Sequence, residues 1–133
     1  MRSPKWLILV IVLLAFPAMS GANGQAQFTA SRAAVYYFGF DIERITGIPE
    51  HQIDQYGCRY TIEREKFISL LVKAPDMSSK YDQRDIRAHI SISADEQYFV
   101  NREGIVRFGD RYFIIEKRDF VNLLSPHRAG KCR

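Results

Sequence analysis

Apolar and polar residues alternate along two stretches of the chain, which is the pattern of β-strands with one buried face. The cleaner of the two is DIRAHISIS, residues 85–93. Its alternation predicts an inward face of four apolar residues and an outward face of four polar ones. The inward set is Ile86, Ala88, Ile90 and Ile92, and the outward set is Arg87, His89, Ser91 and Ser93.

The other stretch, AAVYYFGFDIE (residues 33–43), is rich in aromatic and β-branched residues. Its alternation separates Tyr36, Phe38, Phe40 and Ile42 from a second face with Val35, Tyr37, Gly39, Asp41 and Glu43. If the two stretches are neighbouring strands, their polar faces combine an aromatic ring, acids and cations. Such a face can bind a polar ligand or a charged loop of a partner; the alternative is a solvated sheet face with weak cross-strand charge pairs. The candidate binding residues are Tyr37, Asp41, Glu43, Arg87, His89 and Ser91.

Three short helices are predicted from apolar spacing and from start and stop residues. Three further strands are predicted within residues 97–115, with turns at Arg102–Gly104 and Gly109–Asp110, and residues 76–83 are predicted to be a loop. Helices this short and few cannot cover both faces of a sheet. The sequence therefore predicts an α+β fold, a mainly antiparallel sheet with two or three short helices packed on one face. The helices are residues 48–57 between Pro49 and Gly57, residues 63–75 with Phe67, Leu70 and Leu71 on one side, and residues 116–124 with Phe120, Leu123 and Leu124 on one side.

Two segments resemble each other: GCRYTIEREKFISLL (residues 57–71) and GDRYFIIEKRDFVNLL (residues 109–124). In both, a glycine turn precedes a strand, a Glu follows, and a Phe-x-x-Leu-Leu stripe supplies one helical face. One interpretation is that any strand-to-helix joint on a common sheet needs these residue types. The other is a duplicated strand-strand-helix unit, which would make the domain pseudo-symmetric. Neither interpretation makes the segment catalytic, since nearly all its matched residues are core material.

The N-terminal sequence predicts export. Arg2 and Lys5 precede an apolar run from Trp6 to Phe16, followed by small residues up to Ala22. This is the pattern of a secretory signal peptide, and the run is shorter than the roughly 20 residues that a membrane span needs. We therefore expect a signal peptide over residues 1–22 and a single exported domain over residues 23–133, periplasmic or secreted, without a stable membrane anchor.

The net positive charge of the chain comes from the cations at its two ends. Lys and Arg number 19 against 15 Asp and Glu, and removal of Arg2 and Lys5 with the signal peptide leaves 17. Three more cations, Arg128, Lys131 and Arg133, lie in the last six residues, so the body of the domain has 14 cations against 15 acids. A nucleic-acid-binding domain is expected to have a basic face of its own, and we expect no nucleic-acid partner.

The two cysteines, Cys58 and Cys132, both belong to the exported part. In an oxidising compartment such a pair is expected to form a disulfide. It would close a loop of about 75 residues, which the chain-entropy model values at roughly 4 kcal/mol. Two free thiols or a metal site are the alternatives, and the spacing supports neither.

Motifs of catalysis and cofactor binding are absent from the sequence. There is no G-x-S-x-G elbow, no H-E-x-x-H or C-x-x-C element, and no glycine-rich phosphate loop. His51, His89 and His127 are isolated from one another, so we expect no metal, no cofactor and no catalytic residue.

Three functions fit these observations. The first is an exported binding protein that acts on a macromolecular partner, a protein or cell-envelope component, in an inhibitor or immunity-type role. The second is a periplasmic module that binds a small ligand or cell-wall fragment, and the third is a small hydrolase with dispersed residues. A second candidate surface for the first function is the aromatic and arginine set of residues 98–112, which are residue types enriched at interfaces. It comprises Tyr98, Phe99, Arg102, Arg107, Phe108, Arg111 and Tyr112. The alternative is that core formation explains most of its aromatics, because alternating strands bury half of such residues.

Overall fold

Seven strands pair in the order β2-β1-β4-β5-β6-β7-β3, and every neighbouring pair is antiparallel. The computed structural model describes residues 31–127, so the predicted signal peptide, Arg128 and Cys132 lie outside the described residues. The strands are β1 (Arg32–Tyr37), β2 (Cys58–Glu63), β3 (Val72–Lys73), β4 (Ile86–Ser93), β5 (Glu96–Asn101), β6 (Ile105–Phe108) and β7 (Arg111–Ile114).

The helices are short and follow strands. A single 3-10 turn, Glu50–Gln52, continues into α1 (Ile53–Tyr56), and α2 (Arg64–Ile68) and α3 (Lys117–Leu124) follow β2 and β7 directly. Two further 3-10 segments are Pro75–Lys80 and Ser125–His127. No helix within the described part of the chain is long and apolar enough to cross a bilayer.

The main core lies between the sheet and the helices α2 and α3. Phe67 of α2 and Phe120 of α3 are fully buried, and their rings contact each other edge to face at 6.2 Å. Beneath them the sheet presents small and branched side chains, which leave room for the two rings. These sheet residues include Ala33, Val35, Ala88, Ile90, Val100 and Val106.

A smaller apolar cluster lies apart from this core. Ile48, Ile53 and Ile86 are each completely buried, and Phe38, Tyr81 and Phe99 pack around them. Phe99 pairs in register with His89 and therefore lies on the sheet face opposite to Ile90. The Glu50–Gln52 turn and α1 thus cover part of the second face of the sheet.

The prediction for the first strand is wrong about its length and its buried face. The strand ends at Tyr37, because Gly39 takes a φ of 121° and the chain turns away from the sheet. Val35 and Tyr37 pack into the main core, and Tyr36 lies on the opposite face beside His89. Aromatic residues stand on both sides of this strand, so hydrophobicity alone did not identify the inner side.

The fold class is confirmed, but the prediction of a helix over residues 63–75 is wrong about its length, because α2 ends at Ile68 and Val72–Lys73 form the edge strand β3. Part of the predicted loop over residues 76–83 is the 3-10 segment Pro75–Lys80. The structure is α+β with a mainly antiparallel sheet, and α2 and α3 share one face of it. The turn after β5 is closed by Asn101, whose Oδ1 accepts hydrogen bonds from the backbone N–H groups of Glu103 and Ile105. Gly104 completes that turn with a φ of 86°, a conformation that glycine adopts without a steric penalty.

Candidate functional site

The six predicted site residues do not form one outward face. Arg87 and His89 are only 1% and 8% exposed, and Tyr37 is half-buried on the core side of the sheet. Asp41 and Glu43 are exposed, but they lie in the segment after β1 rather than on a strand. The shared solvent-facing surface predicted for these residues is therefore wrong. The structure divides them between two other places, a braced loop and a buried histidine cluster.

The first place is the loop of residues 38–48, the 38–48 loop. The buried guanidinium of Arg87 donates hydrogen bonds to the carbonyl oxygens of Gly39 (2.8 Å) and Ile42. It is also paired with the carboxylate of Asp85 at 3.0 Å. A buried arginine is thus satisfied by the backbone of the loop, which fixes the first half of the loop against β4.

Tyr37 and Glu43 hold the same loop. The hydroxyl oxygen of Tyr37 accepts a hydrogen bond from the backbone N–H of Phe40 at 3.1 Å. Burial raises the pKa of this phenol. The hydrogen bond from Phe40 lowers that pKa, but by less than burial raises it. Glu43 forms an ion pair with Arg102. Three of the six predicted residues therefore position the 38–48 loop, and a fourth, Asp41, lies exposed within it.

The second half of the loop is anchored by packing. Ile48 is completely buried, and its carbonyl accepts a hydrogen bond from the N–H of Ile86 at 2.7 Å. Gly47 lies so close to Arg84 that an added Cβ would be 2.2 Å from the Arg84 carbonyl oxygen. Only a glycine fits at that approach.

Between these anchors the loop presents apolar side chains to solvent. Ile45 is fully exposed and Ile42 is about half exposed, at 104% and 48%. Next to them, the guanidinium of Arg44 lies 4.5 Å from the ring centroid of Tyr56, itself partly exposed. Isoleucine, arginine and tyrosine are thus side by side at the surface, and arginine and tyrosine are enriched at protein interfaces.

The second place is the His89 cluster, formed by His89, Asp54, Gln97 and Ser91. Nδ1 of His89 lies 2.6 Å from Oδ1 of Asp54, and Nε2 is hydrogen-bonded to Oε1 of Gln97. The amide Nε2 of Gln97 donates to Oγ of Ser91 at 2.9 Å and to the carbonyl of Ser93. The imidazole is stacked between the rings of Tyr36 and Phe99, at 5.9 and 4.5 Å between centroids.

The hydrogen bonds of the Gln97 amide determine which of its atoms faces the imidazole of His89. Its NH2 group must face the Ser93 carbonyl, which can only accept, so its oxygen faces Nε2 of His89. Both ring nitrogens therefore lie against side-chain oxygen atoms, Nδ1 against Asp54 and Nε2 against Gln97.

A second ion pair borders this cluster. Nε and Nη2 of Arg107 donate to the two carboxylate oxygens of Glu50 at 2.8 and 2.7 Å, and the Tyr81 hydroxyl donates to the same carboxylate at 2.7 Å. Burial alone raises the pKa of Glu50, but the hydrogen bonds from Arg107 and Tyr81 outweigh it and lower that pKa below its usual value. Glu50 and Asp54 therefore connect α1 and its preceding turn to the sheet through side-chain contacts with Arg107 and His89.

The geometry does not suit the His89–Asp54 pair to acid–base catalysis. A general base needs a ring nitrogen within reach of a substrate proton. Here both nitrogens are occupied, the ring is stacked on both sides, and Ser91 contacts Gln97 rather than the imidazole. A cleft of about 260 Å³ includes Tyr37 and Asp41, but neither Arg87 nor His89 lines it. Within residues 31–127 no group of three or more His, Cys, Asp or Glu side chains is placed to hold a metal ion.

Sequence reasoning missed Asp54, Glu50 and Gln97. They come from three different elements, and no spacing along the chain relates them to His89 or Arg107. Within the second candidate surface, Tyr98 is buried in the core. Arg102 forms an ion pair with Glu43, and Arg107 forms one with Glu50. Cys58 is not a free thiol, and its predicted partner Cys132 lies outside the described residues, so their pairing stays a prediction.

Comparison of the chain with family models, with curated proteins and with solved structures gave no match in any of the three. The fold class and the geometry of the chain's own residues are therefore the basis for a function.

Proposed function

We propose that the protein is a small exported binding protein that acts on a macromolecular partner, in an inhibitor or immunity-type role in the cell envelope. The 38–48 loop, called the recognition loop from here on, is the element that enters the partner. The observation that carries the proposal is the fully exposed Ile45, held between two anchored ends of one loop.

Ile45 is fully exposed, so its side chain adds no buried surface to the domain, while the hydrogen bonds from Arg87 fix the backbone of the loop that carries it. A loop fixed in its bound conformation loses less conformational entropy on association. Burying an isoleucine in a partner's apolar pocket contributes about 2 kcal/mol.

The export on which this proposal depends comes from the signal-peptide pattern of residues 1–22. A disulfide between Cys58 and Cys132 belongs to the same proposal, because it needs an oxidising compartment. A separate observation favours the small-ligand alternative: a cavity lies at the edge of the sheet where β3 pairs with β7.

The test is affinity capture from envelope extract with three immobilised proteins: the mature protein, its Ile45→Asp variant and its Val72→Asp variant. Val72 is another exposed branched residue, 58% accessible, in the edge strand β3. We expect a macromolecule that the mature protein and the Val72→Asp variant retain and the Ile45→Asp variant loses. Mass spectrometry identifies it.

Arg87→Met provides a second variant. It removes the donors that fix the loop while Ile45 itself stays, so we expect weaker retention of the same partner and faster proteolytic cleavage within residues 38–48. If nothing is retained, or if the Ile45→Asp variant retains the same macromolecule as the mature protein, the proposed role of the loop is wrong.

A further inference from the structure

A cavity of about 330 Å³ lies where β3 ends against β7, and no residue of the recognition loop lines it. This volume is within the range of small-molecule sites in proteins. Its walls combine apolar groups of Pro75, Tyr112 and Phe113 with polar groups of Lys73 and Arg111 and of two smaller residues, Ser78 and Asp110.

The local sequence explains why a space exists there. The last backbone bond between these two elements runs from the N–H of Ala74 to the carbonyl of Tyr112, at 3.0 Å. Pro75 follows, has no N–H to extend the ladder, and begins the 3-10 segment Pro75–Lys80. The chain therefore leaves the sheet edge early and leaves a space beside the first residues of β7.

The aromatic wall of the cavity packs against a second ring outside it. The ring of Tyr112 packs edge to face against Tyr81 at 5.8 Å between centroids. Tyr81 is in turn fixed by its hydrogen bond to Glu50 and by its backbone N–H to the carbonyl of Met77. The aromatic side of the cavity is thus part of the packed structure and exists before any ligand binds.

Two cations at this cavity have no acidic partner among residues 31–127. Arg64, Arg87 and Arg107 each form an ion pair with a carboxylate, whereas neither Lys73 nor Arg111 does. The guanidinium of Arg111 lies 5.4 Å from the ring centroid of Phe108, a contact that leaves its N–H donors available.

We propose that this cavity binds a small monocarboxylate with an aromatic or other apolar body. Lys73 and Arg111 hold the carboxylate, and Tyr112 and Pro75 contact the body. Asp110 lies at the same cavity, so the site has one net positive charge, which matches a monoanion better than a phosphate dianion. The site is separate from the recognition loop and does not depend on the function proposed for it.

Indole-3-acetate is the probe, and tryptamine, which has the same ring and the opposite charge, is its comparator. In ¹H–¹⁵N spectra of the mature protein we expect indole-3-acetate to shift the amide signals of residues 73, 78, 111 and 112 with a Kd of about 1 mM, as suits a ligand of this size. Tryptamine should leave these signals unchanged at the same concentrations.

The variant is Lys73→Met with Arg111→Met, and the matched control is Lys80→Met with Arg118→Met, which removes two exposed cations outside the cavity. We expect the first pair to weaken binding at least about tenfold, because each removes a charged hydrogen-bond donor. The control should bind within about twofold of the unaltered protein. Each single substitution at Lys73 and Arg111 is titrated as well, so that the comparison holds if the double variant does not fold.

The proposal is overturned if no saturable shift occurs at these residues, if tryptamine binds as well, or if the control pair weakens binding equally. The Ile45→Asp variant should bind indole-3-acetate normally. A failure at the cavity is therefore distinguishable from a failure of the recognition loop.

Discussion

Arg87 and His89 occupy polar positions of an alternating strand, yet both are buried. A period of two identifies which residues share a face, but it does not say whether that face is covered. In this protein the recognition loop covers Arg87, while α1 and the neighbouring aromatic rings cover His89. Each polar side chain is retained there because carbonyl or carboxylate oxygens satisfy its donors.

Partly buried acidic partners of arginines give the stability of the protein a specific pH dependence. Burial alone raises the pKa of Glu96, but hydrogen bonds from Arg64 and Tyr98 outweigh it and lower that pKa, as happens for Glu50 with Arg107 and Tyr81. A carboxylate with a depressed pKa in the folded state contributes stability above its unfolded pKa and loses it as the pH falls. We therefore expect the free energy of unfolding to decrease between about pH 5 and about pH 3, measured by urea titration.

Substitutions at these acids separate this effect from general acid unfolding. Glu50→Gln with Glu96→Gln should lower stability near neutral pH and flatten the decrease in acid. The control is Glu103→Gln, an exposed glutamate without an ion pair within the described residues, which should leave the pH profile unchanged. A profile of the double variant that is as steep as that of the unaltered protein would contradict the assignment.

At the scale of elements, local signals predicted most of the sheet and helices. Turn residues defined β5, β6 and β7, and the glycines and prolines placed the limits of α1 and α3 close to where they lie. The buried side of β1 was not predictable, since it depends on where α2 and α3 pack above the sheet. The His89 cluster was not predictable for a related reason: its contacts join α1, β4 and β5, which only the tertiary fold brings together.

The two similar segments occupy related positions in the sheet. β2 and β7 run in opposite directions, because five antiparallel steps separate them in the strand order, and each passes directly into a helix on the same face. The helices meet through Phe67 and Phe120. This arrangement fits both a duplication and a shared folding rule, and in either case the two phenylalanines join the halves of the core.

The contact between the two helices should be measurable as a coupling energy. Phe67→Leu and Phe120→Leu should each destabilise the protein, and the double variant should lose less than the sum, with a coupling of about 0.5–1.5 kcal/mol. Urea unfolding of the four proteins measures it. Phe67→Leu combined with Ile53→Val, in the cluster on the other face, is the control and should be additive within about 0.5 kcal/mol. Additivity of the two phenylalanine substitutions would show that the halves are energetically independent.

At the scale of the molecule, the two proposed binding places share no residue. The recognition loop follows β1 and contacts Arg87 and Arg102, whereas the cavity is lined by residues of β3 and β7 and the segments beside them. Both are fixed to the sheet by the same region, since α1 and the turn before it contact Tyr81 through Glu50 and lie next to the loop. The two proposals are therefore compatible, because neither needs a residue of the other site.

The chain as a whole should be stabilised by one disulfide. Cys58 begins the edge strand β2 and is not a free thiol, and Cys132 is the only other cysteine in the sequence. Joining them constrains the unfolded chain over about 75 residues, so loss of the bond should cost roughly 4 kcal/mol. The Cys58→Ser/Cys132→Ser variant and the reduced unaltered protein should therefore show the same lowered stability in urea, because both lack the same constraint. Thiol labelling of the exported, unreduced and denatured protein should find no free cysteine and, after reduction, two. Two labelled thiols before reduction, or a dimer that reduction converts to monomer, would show that Cys58 and Cys132 of one chain are not joined.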